Sequence, residues 1–544
     1  MKNGRSNLRF RNILFGGLAA LPFALASSAL ADQLHVGPLV KVTDGDPFAN
    51  CTRDDVAGQE ASLGSTLFPN TAIEPSIAVD PTDFGRVLVG HQQDRWSDGG
   101  SRGPVGVLSS VADLGHWRDT IPPGVTKCTG GPFVRASDPW VSFAIDGTAF
   151  FFSLTTDPAP TPPFGSARTG MVMSRSTDHG QTWHPPTYLI DEVTTLALND
   201  KNSVTADPTQ NGNAYATWDR LLAVPNTATA QLPHLGRNGR EMARKRLHAA
   251  APTTFTFFGP TLLSRTTDNG RTWSRPANIY DPGANNQTIN NIVQVTPDGS
   301  VYTFFTSVIG AEPIFAIGFV KSTDKGVTWS GPTTAQVIPF NGVVSPDSGE
   351  AVRDATILYS VAVNKRTGAL YIVWQDDRFT SATCTTPGAG TIPVDGIAFS
   401  QSLDGGKTWS TPIQVNQTPT NANACREQAF IPAIAVTNDS RHLVVTYYDF
   451  RNDTNTPPGN EGTDYFTVGC DVGSDCSNAR SWGGEARLTN SSFNILDAPV
   501  AEGHFLGDYM SLAPIDWSAV LPIFGIATGP NVTADFTRRI DAKN

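Results

Sequence analysis

Apolar and polar residues alternate along this chain in short runs that stop at Gly, Asn, Asp or Pro. Such runs predict half-buried strands, because successive side chains of a strand point to opposite faces. One unit recurs: an apolar strand, a Gly/Asn/Asp turn and a second apolar strand. It spans 75–79 with 87–90, 140–145 with 149–153, 203–206 with 214–218, 292–295 with 301–305, 359–363 with 370–374, 434–436 with 443–447, and 509–513 with 524–527. These seven hairpins begin about 60 to 90 residues apart, a long period that implies inserted loops.

Between hairpins stands an eight-residue pattern, Ser/Thr-x-Asp-x-Gly-x-Thr-Trp, at 176–183, 266–273, 322–329 and 402–409. Its chemistry is that of a tight turn. The Asp accepts hydrogen bonds from turn N–H groups, the Gly supplies a positive φ, and the Trp opening the next strand fills the space between packed sheets. The pattern is the Asp box, and the chain resembles the sialidase-like, BNR-repeat β-propellers. The resemblance covers nearly the whole chain beyond residue 31 and implies an all-β fold: a single closed propeller over 32–544. If each hairpin supplies two inner strands and each Asp box joins two outer ones, it has about seven four-stranded blades. Six, the usual sialidase number, is the alternative. A lone strand at 37–43 is placed to complete the last blade and cover its open edge.

Propeller topology sorts residues by face. The turns inside hairpins share one face with the Asp boxes, while the links between second and third strands share the other with the links between blades. The long segments 154–170, 221–260, 379–396 and 450–464 all belong to this second, loop-rich face, where function on a rigid scaffold usually resides. On the same map the favoured disulfides are Cys51–Cys128, Cys384–Cys425 and Cys470–Cys476. Asp178, Asp268, Asp324 and Asp404 of the boxes are assigned to folding alone.

Lys2, Arg5, Arg9 and Arg11 precede an apolar stretch ending in Ala29-Leu30-Ala31, which reads as a signal peptide over 1–31, with an uncleaved anchor as the alternative, and predicts export, with no later membrane span. Six cysteines suit an exported, disulfide-bonded protein. A net charge of −11 argues against nucleic acid as a partner. The only strong basic cluster, 237–250, reads as a solvated helix or a lid. The histidines show no metal-ligand spacing, so no cofactor is expected. The Asp-rich loop 449–453 is the place where a structural Ca²⁺ would sit.

Charged residues recur where the hairpins meet the loop-rich face. Asp94-Arg95, Asp219-Arg220, Asp376-Asp377-Arg378 and Asp449 with Arg451 end second strands. Glu74, Asp138, Asp200, Arg353, Glu427 and Asp508 precede or open first strands. One reading is inter-blade salt bridges and turn caps; the other is an anion-recognising pocket, since a guanidinium pairs bidentately with a carboxylate.

The resemblance supplies roles: sialidases hold the sugar carboxylate with three arginines and use a Tyr activated by a Glu, with an Asp as acid/base. Glu427, followed by 431–436, 444–448 and Arg451, is similar to the family's Glu-strand-turn-strand-Arg segment. Gly507-Asp508-Tyr509-Met510-Ser511-Leu512 is similar to the segment carrying the nucleophilic Tyr. The expected catalytic set is therefore Tyr509, Glu427 and Asp94, and the expected substrate cations are Arg95, Arg353, Arg378 and Arg451. The chain departs from the family at 71–76, where Glu74 stands in place of an arginine. The resemblance implies an exo-glycosidase of sialidase type acting on sialic acid or another acidic glycan. A catalytically silent propeller that binds glycans or proteins, and an exported structural propeller with no small-molecule site, are the alternatives.

Overall fold

The computed structural model describes residues 34–225, 255–311, 313–386 and 390–542. The signal segment 1–31 and the basic cluster 237–250 lie outside these residues. Among the described residues the architecture is all-β, with one two-turn α-helix, Val56–Leu63.

Antiparallel strands are arranged in seven consecutive meanders. Their first strands are Leu67–Val79, Arg135–Phe143, Ala197–Ala206, Gln287–Val295, Tyr359–Val363, Ala429–Val436 and Ser511–Pro514. Six meanders draw their four strands from their own stretch of chain. The seventh has three, Ser511–Pro514, Ala519–Gly529 and Val532–Thr537, and takes its fourth from the other end of the sequence: Val40 pairs with Thr537 and Lys41 with Phe536. The first strand of each meander packs against that of the next, and Ser511–Pro514 lies against Leu67–Val79. The hydrogen-bonded sheets are themselves open. Single bridging pairs, Thr71 with Thr533 and Ser101 with Ala136, link the seventh, first and second meanders into one 14-stranded sheet.

The apolar core lies between meanders, not within them. Phe150, Phe152 and Met173 of the second meet Val204, Ala216 and Trp218 of the third, and Phe304 and Ile317 of the fourth meet Ile372 and Trp374 of the fifth. Asp-box tryptophans wedge into these seams: Trp273 meets Phe150 and Trp409 meets Phe304, edge to face.

Two strand boundaries differ from expectation. The second strand of the last hairpin begins at Ala519, because the turn is the tight 515–518 and not a long loop. The segment 154–170 is mostly strand, Ala149–Pro158 and Ser166–Ser176, leaving a short connection. The three disulfides are those the face map favours, Cys51–Cys128, Cys384–Cys425 and Cys470–Cys476.

Each Asp box closes on itself. Asp178 accepts from Thr182 N (2.9 Å), Thr182 Oγ1 (2.6 Å) and Ser176 Oγ (2.7 Å), while Ser176 Oγ accepts from Gly180 N (2.8 Å). The other three boxes repeat the pattern. The fourth, variable residue of the box does something the motif does not announce. His179, Asn269 and Lys325 have φ of 62°, 57° and 61°, and each side chain reaches the hairpin-turn aspartate of the preceding meander. His179 Nδ1 lies 2.6 Å from Asp80, Asn269 Nδ2 donates to Asp146 (2.5 Å), and Lys325 Nζ donates to Asp207 (2.9 Å). The boxes thus staple neighbouring sheets. Asp178→Ala is expected to lower stability by about 1–2 kcal/mol through lost turn hydrogen bonds, read as a lower urea midpoint with an unchanged m-value.

Candidate functional site

The first strands carry a recurring irregularity. In meanders one, two, three, four and six the pairing register slips, between Ile73 and Ser76, Ser137 and Trp140, Asp200 and Ser203, Ile289 and Ile292, and Phe430 and Ala433. At each slip a non-glycine residue adopts a positive φ: Glu74 (55°), Asp138 (52°), Lys201 (40°), Asn290 (60°) and Ile431 (50°). A bulge re-aims one side chain out of the strand's alternation, and such backbone is costly enough to persist only where surrounding contacts hold it.

Three of these re-aimed side chains converge. Lys201 Nζ lies 2.6 Å from Asp508 Oδ2, 3.2 Å from Asp138 Oδ2 and 3.6 Å from Glu74 Oε1. Asp508 also receives both arms of Arg353, at 2.7 and 2.6 Å. All five residues are buried. Burial pushes the Glu74 carboxyl up to about 7; Lys201 opposes the shift, and Asp138 and Asp508 add to it. Burial acts on Asp508 in the same sense, but Arg353 and Lys201 overcome it and hold that carboxyl far below its ordinary range. Two neighbouring carboxyls are therefore driven apart, one half-protonated near neutrality and the other always ionised, the division on which acid/base chemistry depends. Asp200, beside them, is raised to about 6, chiefly by burial. Lys201 stays charged: burial opposes its proton, but the surrounding carboxylates hold it firmly.

Arg95 differs from the other two cations. Its side chain is 3% exposed and donates to Gln92 Oε1 (3.0 Å). Its Nε has no acceptor. Its guanidinium carbon lies 4.8 Å from the Phe505 ring centre, and that of Arg353 lies 4.2 Å from the same ring. Burial, then the charge of Arg353, lowers the affinity of Arg95 for its proton. Arg95, Arg353, Lys201, Asp138, Asn199 and Ser137 line a cavity of about 50 Å³. A second, of about 40 Å³, lies against Asp508, Tyr509, Trp140, Asn290, Tyr359 and Met510.

Of the residues expected from sequence, Arg95, Arg353 and Tyr509 share this neighbourhood. The Tyr509 ring is 5.9 Å from Lys201 Nζ and 5.5 Å from the Trp140 ring. Its hydroxyl donates to Pro139 O (3.2 Å). Burial, then the charges of Glu74, Asp138, Asp508 and Asp200, holds that phenol well above its ordinary range.

The other four are engaged elsewhere. Asp94, between Gln93 and Arg95, has a φ of 65°; it accepts from Asn70 N (2.8 Å) and Gln93 Nε2 (3.0 Å) and pairs with Arg102 (3.4 Å). Glu427 sits in the 3₁₀ turn Ala424–Glu427 and accepts from Asn421 N (2.7 Å). Arg378 is tied to Asp376 (2.7 Å) and Val337 O (2.6 Å). Arg451 pairs with Asp449 (2.6 Å) and Glu485 (2.5 Å) and lies over Phe466. An arginine two residues beyond an aspartate at a strand end meets it in the same turn, and this local pairing absorbs Arg378 and Arg451. In the Asp-rich loop, Asp449 is held by Arg451, and Asp453 accepts from Arg426 (2.8 Å).

Sequence reasoning grouped Glu74, Asp138, Asp200 and Asp508 with the arginines as strand openers ringing the loop-rich face, and it missed Lys201 and Phe505. A faint signal existed for Lys201: Glu74-Pro75, Asp138-Pro139, Lys201-Asn202, Asn290-Asn291 and Ile431-Pro432 occupy equivalent bulge positions. Phe505 lies in a glycine-flanked connection and had none.

The BNR/Asp-box repeat model matches residues 174–185. No curated protein matches the sequence. Solved structures to which the chain is similar include a Hadza microbial sialidase (14% identity, 82% of this chain and 75% of that one, TM-score 0.43). They include the Penicillium chrysogenum α-L-arabinanase complexed with arabinobiose (12%, 76% and 94%, 0.42) and the NanB sialidase from Streptococcus pneumoniae (9%, 88% and 94%, 0.42). The described residues are all-β and carry four Asp boxes, and the chain is similar to solved sialidases and an arabinanase.

Proposed function

We propose that the chain is an exported glycoside-hydrolase-type protein, a closed seven-bladed propeller over residues 32–544, that takes an acidic saccharide at the centre of its loop-rich face. The reading rests on Arg95: a buried guanidinium with an unfilled Nε that lines a cavity beside carboxyls of divergent protonation. A sugar carboxylate supplies the missing acceptor. Glu74, half-protonated near neutrality, is suited to give a proton to a leaving oxygen, and Tyr509 is the candidate nucleophile. Three disulfides, and the lack of any helix long and apolar enough to cross a membrane among the described residues, accord with export.

A second reading, a binding propeller without turnover, is favoured by the state of Tyr509. Its phenol is held protonated and hydrogen-bonded to a main-chain carbonyl, which is the reverse of activation.

Release of chromophore from aryl sialosides and aryl glycuronides by the purified protein tests the first reading. Turnover is expected, with Arg95→Gln raising KM at least about tenfold, since a charge-assisted hydrogen bond of about 1.5–3 kcal/mol is lost. Tyr509→Phe is expected to abolish turnover while free sugar still binds. Saturable binding by a wild type that releases nothing supports the second reading; an active Tyr509→Phe protein removes the tyrosine mechanism.

A further inference from the structure

Two buried guanidiniums, Arg95 and Arg353, share one aromatic ring, at 4.8 and 4.2 Å from its centre, so they stand no farther apart than the sum of these distances. Like charges that close repel strongly away from water. Arg353 is neutralised by the bidentate contact with Asp508. Arg95 has an amide oxygen, the ring face and the field of Glu74, Asp508 and Asp138. The π face of an aromatic ring attracts a cation without consuming a hydrogen-bond donor. Phe505 therefore adds to the compensation of Arg95 without occupying its Nε–H, which is buried with no acceptor.

The ring is firmly placed. Phe505 is fully buried with Ile73 and Ala501, and its N–H donates to Pro499 O (3.0 Å). Its neighbour His504 is bonded on both sides to the Arg353 segment: Arg353 N donates to His504 O (3.0 Å) and His504 N to Ala351 O (2.9 Å). Two residues on, Gly507 has φ 137°, and a Cβ there would stand 2.9 Å from Glu74 N. The connection thus clamps the strand of Glu74 to the segment of Arg353, with Phe505 at the middle.

We infer that Phe505 is a positioning residue that sets the site's preference for an anionic over a neutral sugar, by holding Arg95 beside Arg353 with a donor free. This rests on the proposed acidic-saccharide reading. Phe505 acts through Arg95; it does not bind the ligand.

Calorimetric titration with D-glucuronate and its neutral counterpart D-glucose, on wild type, Arg95→Gln, Phe505→Leu and Phe505→Tyr, tests it. Phe505→Leu keeps an apolar side chain against Ile73 and Ala501 but removes the ring face; it is expected to weaken glucuronate about tenfold and leave glucose unchanged. Phe505→Tyr restores wild-type affinity within about threefold. If Arg95→Gln weakens glucuronate and Phe505→Leu does not, the inference fails while the functional reading stands. An unaffected Arg95→Gln protein overturns the functional reading. Should wild type bind neither sugar, crystal structures of the two Phe505 variants decide. The Arg95 guanidinium is expected to leave its place in Phe505→Leu and keep it in Phe505→Tyr; an unmoved Arg95 in the leucine variant overturns the inference.

Discussion

The protein is expected to be more stable at pH 5 than at pH 8. Burial raises the carboxyls of Glu74, Asp94, Asp395 and Asp535 to about 7, and those of Asp200 and Asp449 to about 6. In the unfolded chain the same groups titrate near 4. Between these values the folded state holds more protons than the unfolded one, so stability falls as pH rises from about 4 to 7 and levels off above. Buried His91, lowered to about 4 mainly by desolvation, opposes the trend as a single group. Below pH 4 the sign reverses. Asp404 is held at about 2 by Thr408 and Ser402, and Asp508 lies lower still despite its burial because of Arg353 and Lys201. Their contribution is lost as pH falls through those values. Urea midpoints across pH 3 to 9 check the curve, and a rise from pH 5 to pH 8 would contradict it. Asp535→Asn is an internal control. Asp535 is fully buried, 4.0 Å from His91, and its carboxylate oxygens have no hydrogen-bond partner. Removing its ionisation should flatten part of the slope.

Lys201→Met is expected to destabilise the fold by about 3–5 kcal/mol at pH 7.5, the penalty for breaking a buried ion pair from one side. One ammonium serves Asp508, Asp138 and Glu74, and Asp200 adds to its field. Methionine fills the space and leaves that negative charge without its cation. The loss should shrink at pH 5.5, where Glu74 and Asp200 take up protons. Denaturant titrations of both proteins at the two pH values measure this, and an equal loss at both would show that packing, not charge, is what Lys201 supplies. The result also bears on function, because the same cation restrains the carboxyls proposed to exchange protons with a ligand.

The legible part of this protein is local. Alternation of apolar residues marked the hairpins, and Ser/Thr-x-Asp-x-Gly-x-Thr-Trp specified a turn whose hydrogen bonds run between residues at most four apart. Both depend on interactions among near neighbours, which a sequence displays directly. The order of strands then carried the cysteine pairing, since topology decides which loops meet. Local rules misled where a short-range partner was overlooked: Arg378 and Arg451 carry the right charge for a ligand, but Asp376 and Asp449 sit two residues away and bind them first.

Tertiary structure alone decided the rest. The use of His179, Asn269 and Lys325 as inter-sheet staples emerges only when a box faces the turn of the preceding meander. The central cluster joins residues as far apart as Glu74 and Asp508, 434 positions along the chain. No periodicity links them, because their meeting results from strand bulges that turn side chains inward and from the first strands packing side by side. Whether a buried charge is spent on a neighbour, like Arg353, or left with a donor open, like Arg95, depends on what the assembled chain brings within 4 Å, and that is a property of the packed sheets and not of any segment alone.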